Sequence, residues 1–307
     1  MRYRFYTADV FTDQVFGGNP LAVFPDARGL SGHDMQRIAR EFNLSETVFV
    51  LPAEQAAHTR RLRIFTPAAE LPFAGHPTVG CAHVLATIGE IPLTGEETRI
   101  VFEEEVGPVA VTIQGRRNQP ETARLTVAKL PEFGPQPPPV ADLAQLLTLE
   151  TADVAHADWT PQAVSCGVPF LCIPIRNRDA LARSRLRLDL WQNLLSTFWA
   201  PSVYLFTPET EQPGSDWRTR MYAPAMGVPE DPATGAAAVA FAGYLATRDA
   251  TRDGPLRWTI EQGFEMGRPS ILIAEADKID GAVTAVRVGG SAVLVTDGWM
   301  DVPLSEA

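Results

Sequence analysis

Three side chains have the chemistry and setting to act on a small molecule: Glu46, His76 and Asp231. Glu46 follows Asn43-Leu44-Ser45 and opens the run Thr47-Val48-Phe49-Val50, whose β-branched and aromatic residues predict a buried strand. A turn before that strand would aim the carboxylate out of its end. In a partly desolvated cleft its pKa is expected to rise from about 4.3 toward neutrality, which suits a group that takes up a proton and returns it. His76 lies in Phe73-Ala74-Gly75-His76-Pro77-Thr78 and reads as a second proton-transfer group, an orienter or a hydrogen-bonded loop histidine. Asp231 lies in Glu230-Asp231-Pro232-Ala233-Thr234-Gly235-Ala236. Both loops pair a glycine, which lets a ligand approach the backbone, with a proline, which fits a first helical turn. Two helix starts of this kind would offer backbone N–H groups to an anion such as a carboxylate. Alternatively, Thr78, Thr234 and Asp231 simply cap their helices. His33, His58, His83 and His156 have no comparable context and receive no role.

The helices that follow these loops are predicted to begin near Thr78 and Thr234. Residues 79–88 and 235–246 carry no charged side chain, and a helix that is apolar all round must be enclosed on every side. A sheet wrapped around each helix achieves this, and the small residues let strands approach the helix axis. Before the first of these helices, residues 10–24 read as a hairpin. Ser31 and Asp34 read as a capping box opening a helix with Met35, Ile38 and Phe42 on one face, and 61–65 reads as a half-exposed strand.

The chain also repeats itself. Gly18-Asn19-Pro20-Leu21-Ala22-Val23-Phe24-Pro25 returns as Gly167-Val168-Pro169-Phe170-Leu171-Cys172-Ile173-Pro174, and Arg63-Ile64-Phe65-Thr66-Pro67 returns as Arg220-Met221-Tyr222-Ala223-Pro224. Val48-Phe49-Val50, then Pro77 and Gly80, then Ile100 and Gly107 follow in the same order, with offsets between 149 and 160. Such order predicts a duplicated unit. The proline-rich stretch from Pro131 to Pro139 separates the copies, giving lobes at 1–130 and 131–307; the strand at 283–295 either pairs with the second lobe or returns to the first. The fold class expected is α+β: two similar lobes, each a barrel-like curved mixed sheet around a central buried helix. The copies differ where Ser45-Glu46-Thr47 is replaced by Ala200-Pro201-Ser202, so the carboxylate exists in one lobe only.

Composition narrows the function. The chain has 307 residues, 45% hydrophobic and 21% charged, as in ordinary globular proteins. A net charge of −11 opposes binding to nucleic acid or to anionic membrane surfaces. No apolar run approaches a membrane span and the first residues do not read as a signal peptide, so a cytoplasmic protein is expected. Cys81, Cys166 and Cys172 are odd in number and lack metal-ligand spacing, so they read as small buried residues rather than a disulfide or zinc framework.

Several of these stretches together resemble the PhzF-like phenazine-biosynthesis isomerases, relatives of diaminopimelate epimerase. They are Asp9-Val10-Phe11-Thr12 with Gly18-Asn19-Pro20-Leu21-Ala22-Val23, Asn43 to Phe49, Phe65-Thr66-Pro67 through Ala74-Gly75-His76-Pro77-Thr78, Gly227 to Gly235, and Gln262-Gly263 with Gly267-Arg268-Pro269-Ser270. The resemblance implies a homodimeric enzyme that needs no cofactor or metal, with its site between the lobes. It further implies that Glu46 moves a proton between carbons of a small cyclic amino acid while His76 and Asp231 hold the substrate. Asn19, Gly75, Thr78, Thr234, Gly235 and Ala236 complete the expected substrate-binding set. Where the family commonly has serine after Asp-Pro-Ala-Thr-Gly, this chain has Ala236, so a hydroxyl is missing while the backbone N–H groups remain. Three other readings compete. One is a two-base racemase or epimerase, which would need thiols where the loops carry Ala74 and Ala233. The others are a lyase using the same carboxylate and a metabolite-binding protein without catalysis.

Overall fold

The computed structural model describes residues 1–116, 119–154 and 159–303. His156 lies outside the described residues. The chain divides into two compact units, one of residues 1–126 with 289–307 and one of residues 127–288.

The first unit contains β1 (Arg2–Val10), β2 (Asn19–Phe24), α1 (Gly32–Phe42), β3 (Glu46–Leu51), β4 (Arg60–Phe65), β5 (Glu70–Leu71), α2 (Gly75–Thr87), β6 (Glu97–Glu104), β7 (Gly107–Arg116) and β8 (Gln119–Thr126). The second contains β9 (Glu132–Phe133), α3 (Val140–Leu146), β10 (Gln162–Ser165), β11 (Pro169–Pro174), α4 (Arg178–Arg183), α5 (Leu188–Leu194), β12 (Ser202–Thr207), β13 (Trp217–Ala223), β14 (Val228–Asp231), α6 (Gly235–Ala246), β15 (Gly254–Gln262) and β16 (Ser270–Ile279). Two further strands, β17 (Ala282–Gly290) and β18 (Ala292–Asp301), divide the segment whose place the sequence left open. β18 pairs antiparallel with β1 along its whole length, and Met1 and Val302 exchange backbone hydrogen bonds at 2.7 Å.

In the first unit β1 lies between β18 and β2; β2 runs parallel to β3, β3 antiparallel to β4, and β4 parallel to β6, which continues antiparallel into β7 and β8. The sheet is therefore mixed. α2 packs against β1, β2 and β3 and also against β7, β8 and β18, so both ends of the strand order reach the same helix and the sheet encloses it. Residues 75–86 are all buried. Gly80 permits the approach: a Cβ there would lie 2.5 Å from Val10 Cγ2 and 2.6 Å from Leu21 Cδ2. Enclosure removes the need for a polar face, which is why the helix carries none.

The second unit repeats the connectivity: β11 parallel to β12, β12 antiparallel to β13, β13 parallel to β15, β15 antiparallel to β16. α6 packs against β10, β11, β15 and β16, with only Ala236 less than fully buried. The duplication read from the sequence is thus a duplication of strand order.

The expected local elements form for the expected reasons. Ser31 caps α1: Asp34 N donates to its hydroxyl at 3.1 Å, and Asp34 Oδ2 in return accepts from Ser31 N. Met35 and Ile38 face the core, and Asn43, at φ 51° in the left-handed region, ends the helix. Phe24, Phe42, Phe49 and Phe65 meet edge-on or stacked beneath it. Among the described residues no helix is long and apolar enough to cross a membrane.

Candidate active site

Glu46 is the first residue of β3, delivered there by the Asn43 C-cap and the short turn after it. Because β2 and β3 are parallel, with Leu21 opposite Glu46, the starts of both strands share one end of the sheet. Asn19, fully buried, is the first residue of β2 at that end.

α2 begins at Gly75, about a turn earlier than the sequence placed it, because Pro77 sits within the first turn and an N–H is not needed there. His76 is therefore helical and buried. Its Nε2 lies 3.2 Å from Glu46 Oε2, close enough to pass a proton but off the line of a hydrogen bond. Burial pushes the His76 pKa down to about 3, so the ring is neutral at neutral pH and offers the carboxylate no positive charge. The Glu46 side chain is 16% exposed and the His76 side chain 6%, so solvent reaches the pair from the carboxylate side.

Neither helix start has a side-chain cap. Thr78, expected either to cap or to bind, instead turns inward, with Oγ1 at 2.7 Å from the Ala74 carbonyl and 2.6 Å from Glu104 Oε1. Thr234 Oγ1 lies 2.5 Å from Asp231 Oδ2 and accepts from Gln262 Nε2 at 3.0 Å. Gln262 also donates to the Asp231 carbonyl at 2.8 Å and accepts from Thr234 N at 3.3 Å. The hydroxyls of Thr78 and Thr234 are thus engaged with other side chains, and Thr234, the residue before α6, does not cap it.

A short strand leads into each start and is pinned by an arginine. On β4 Arg63 grips Glu70 of β5 through Nε at 2.6 Å and Nη2 at 2.7 Å; on β13 Arg220 grips Glu230 of β14 at 2.8 and 2.9 Å. Such two-point contacts fix direction as well as distance. A second carboxylate in each repeat holds a loop: Glu103 accepts from Glu54 N and Gln55 N at 2.8 Å, and Glu261 accepts from Glu211 N at 2.9 Å and Gln212 N at 2.6 Å. Glu103 is partnered by His58, whereas the wholly buried Glu261 is partnered by Arg218. The sequence reading missed Glu104, Gln262 and both loop carboxylates. The strand registers Arg61↔Glu103 and Arg218↔Glu261 set Glu103 against Glu261 and hence Glu104 against Gln262, a correspondence that the sequence match of Ile100 with Ile260 misses by two residues.

None of the cysteines is placed for acid–base work. Cys81 is buried within α2, Cys172 is buried in β11, and burial raises the pKa of all three thiols, that of Cys166 to about 12.

Two units of mixed sheet, each enclosing an apolar helix, make up the diaminopimelate epimerase-like α+β fold. The sequence pattern of the family described as phenazine biosynthesis-like protein, PhzC/PhzF, matches residues 8–298, and the chain belongs to that family. It is 43% identical to an uncharacterized isomerase of Mesorhizobium japonicum, covering 94% of this chain and 96% of the relative. It is 36% identical to the trans-2,3-dihydro-3-hydroxyanthranilate isomerase of Pseudomonas aeruginosa, covering 96% and 98%. Among solved structures it matches a PhzF-family phenazine biosynthesis protein of Bacillus anthracis with a TM-score of 0.89 at 25% identity, over 98% of this chain and all of the other. On these relations the chain is classed with the PhzF-type isomerases.

Proposed function

We propose that this protein is a cofactor-independent isomerase that moves a proton between carbons of a small, carboxylate-bearing, cyclic amino-acid-like metabolite, with Glu46 as the acid/base. The observation that carries this reading is the pairing of a carboxylate with a neutral, buried histidine at 3.2 Å, beside a helix start that no side chain caps. A carboxylate can take a proton from one carbon and return it to another on the same face, so one base suffices. His76, held neutral, positions or polarises the substrate without fixing the proton on itself. Asp231 holds the substrate, and the backbone N–H groups near Gly75 and Gly235 are assigned to its carboxylate. Asn19, Thr234 and Ala236 are assigned to binding. Thr78 contributes by shaping the helix start, since its hydroxyl is already engaged. The relatives named as trans-2,3-dihydro-3-hydroxyanthranilate isomerases make that compound the first substrate to test. Ala236 adds no hydroxyl of its own for that substrate. The same reading includes a homodimer working in the cytoplasm.

The test is deuterium incorporation from heavy water, followed by NMR over small cyclic and unsaturated amino acids including that compound. Wild type should exchange a carbon-bound proton, and Glu46→Gln should retain binding while losing about a thousandfold or more in rate. An unchanged rate in Glu46→Gln would remove Glu46 from the chemistry.

A further inference from the structure

Thr78 poses a problem of proton inventory. Its hydroxyl carries one hydrogen, yet Oγ1 makes two close contacts, with the Ala74 carbonyl at 2.7 Å and Glu104 Oε1 at 2.6 Å. A carbonyl only accepts, and so does an ionised carboxylate. If Glu104 were charged, one of the two contacts would set acceptor against acceptor. Both are satisfied when the carboxyl donates to Thr78 and Thr78 donates to Ala74, and 2.6 Å is an ordinary length for such an O–H···O bond. The second carboxyl oxygen, Oε2, is buried and has no hydrogen-bond partner among the described residues, an arrangement that penalises a charge far more than a neutral acid. Glu104 is only 7% exposed.

The second repeat solves the same problem with an amide. Gln262, the residue aligned with Glu104, donates to the Asp231 carbonyl and to Thr234 Oγ1 at the start of α6. An uncharged carboxylic acid and an amide share shape, and both offer a donor beside an acceptor. We propose that Glu104 is a positioning residue working as an uncharged carboxylic acid, the first repeat's counterpart of Gln262, whose O–H donates to Thr78 Oγ1 and frees the Thr78 hydroxyl to hold the Ala74 carbonyl and with it the start of α2 that carries Gly75 and His76. The first-turn backbone contact, Thr78 N to the Ala74 carbonyl, is long at 3.4 Å, so the hydroxyl is the firmer of the two ties. This proposal rests on the reading that the start of α2 belongs to the reacting site.

The surroundings favour the neutral form. On the helix side the titratable neighbour is Cys81, itself held neutral by burial. On the strand and loop side the charges are committed elsewhere: Arg63 to Glu70, Arg61 to Glu54, and Glu103 to His58 and two backbone N–H groups. Arg60 reaches Glu90, and Glu105 is exposed. The helix dipole and the contact with the Thr78 hydroxyl favour ionisation, and burial outweighs them. Desolvation raises the Glu104 pKa to about 8.

Two measurements decide the matter. The infrared difference between wild type and Glu104→Gln at pH 6.5 should contain the carbonyl stretch of one protonated carboxyl, which disappears as the pH passes about 8. A spectrum showing an ionised carboxylate at pH 6.5 overturns the proposal without reference to any substrate. In the deuterium-exchange assay wild type should lose activity on an alkaline limb near pH 8, falling to about a tenth by pH 9, while Glu104→Gln keeps its neutral-pH rate and lacks that limb. A purely structural role would lower the rate without moving the limb, and an identical limb in both proteins rejects the assignment. If Glu46→Gln is inactive while Glu104→Gln behaves as wild type throughout, the catalytic reading stands and this inference falls. If no protein exchanges deuterium, the catalytic reading fails and the infrared result still decides the state of Glu104.

Discussion

Around the start of α2 stand Glu46, His76 and Glu104; around the start of α6 stand Asp231, Thr234 and Gln262. Both helices are apolar, enclosed and uncapped by side chains, and each is approached by a short strand pinned with an Arg–Glu pair. What differs is how the polar groups at each start are paired. At α2 Glu46 and His76 approach without an aligned hydrogen bond between them, and one Glu104 oxygen has no partner among the described residues. At α6 an amide ties the threonine, the aspartate carbonyl and the first-turn backbone into one network. The comparison teaches that duplication preserved the frame while the side chains at its two ends diverged, one toward a carboxylate–histidine contact beside a buried carboxyl and one toward a hydrogen-bonded network around an amide.

The largest effect that could break this comparison lies in the paired loop carboxylates. Glu261→Gln should destabilise the protein by about 3 kcal/mol in urea unfolding, because it leaves the buried Arg218 short of a charge although Glu265 remains at 2.9 Å. Glu103→Gln, on the more accessible pair with His58, should lose distinctly less in the same measurement. Equal losses would mean that the two clamps are not graded by burial. Next in size is Gln262→Glu. A carboxylate there cannot donate to the Asp231 carbonyl or to Thr234, so a loss of about 2 kcal/mol at pH 8 is expected, shrinking on acidification as the carboxyl regains a proton. A loss that is the same at every pH would show that the network does not depend on that donor.

The smallest effect is a pH slope. The folded-state pKa of His76 is depressed from 6.5 to about 3, so between those values the unfolded chain binds a proton that the folded chain refuses. The stability contribution is complete above about pH 6.5 and is lost as the pH falls. His83, lowered to about 4 by burial, adds a second contribution of the same sign. Glu104, raised to about 8, offsets about one of these protons across the same range, so unfolding free energy measured from pH 7.5 to 5 should fall with about one net proton taken up in wild type and stay nearly flat in His76→Asn. Glu104 runs the other way: its raised pKa favours the folded protein at low pH, and that contribution declines between about 4.5 and 8.

Much of the frame was legible in the sequence. The 3.6-residue spacing of Met35, Ile38 and Phe42 and the Ser31–Asp34 box specified α1, and two charge-free helical stretches implied enclosing sheets. Glu46 stood out because the sequence repeat sets Pro201 against it; the strand registers shift that match by one residue, to Ser202, which also carries no carboxylate. The start of α2 was misplaced by about a turn because the repeat alignment matched Pro77 with Pro232, whereas Pro77 lies inside its helix and Pro232 before the other. Glu104 was hidden for a different reason. The run Glu103-Glu104-Glu105 presents three like residues, and only strand pairing reveals which of them turns toward the helix. A side chain's state of ionisation depends on that burial, which no local pattern carries.

The pairing of β1 with β18 sets an order of assembly. The second unit is a continuous stretch of chain, but the first requires a strand made before that stretch to meet one made after it. As the protein leaves the ribosome, residues 127–288 can complete their contacts while β1 still exposes an unpaired edge. Closing so long a loop adds little entropy beyond that of a shorter one, roughly 0.6 kcal/mol per doubling, so the delay is set by translation rather than by thermodynamics. A ribosome that stalled after Val288 would release a nascent chain with a finished second half and an adhesive first half, a substrate for chaperones rather than a smaller enzyme.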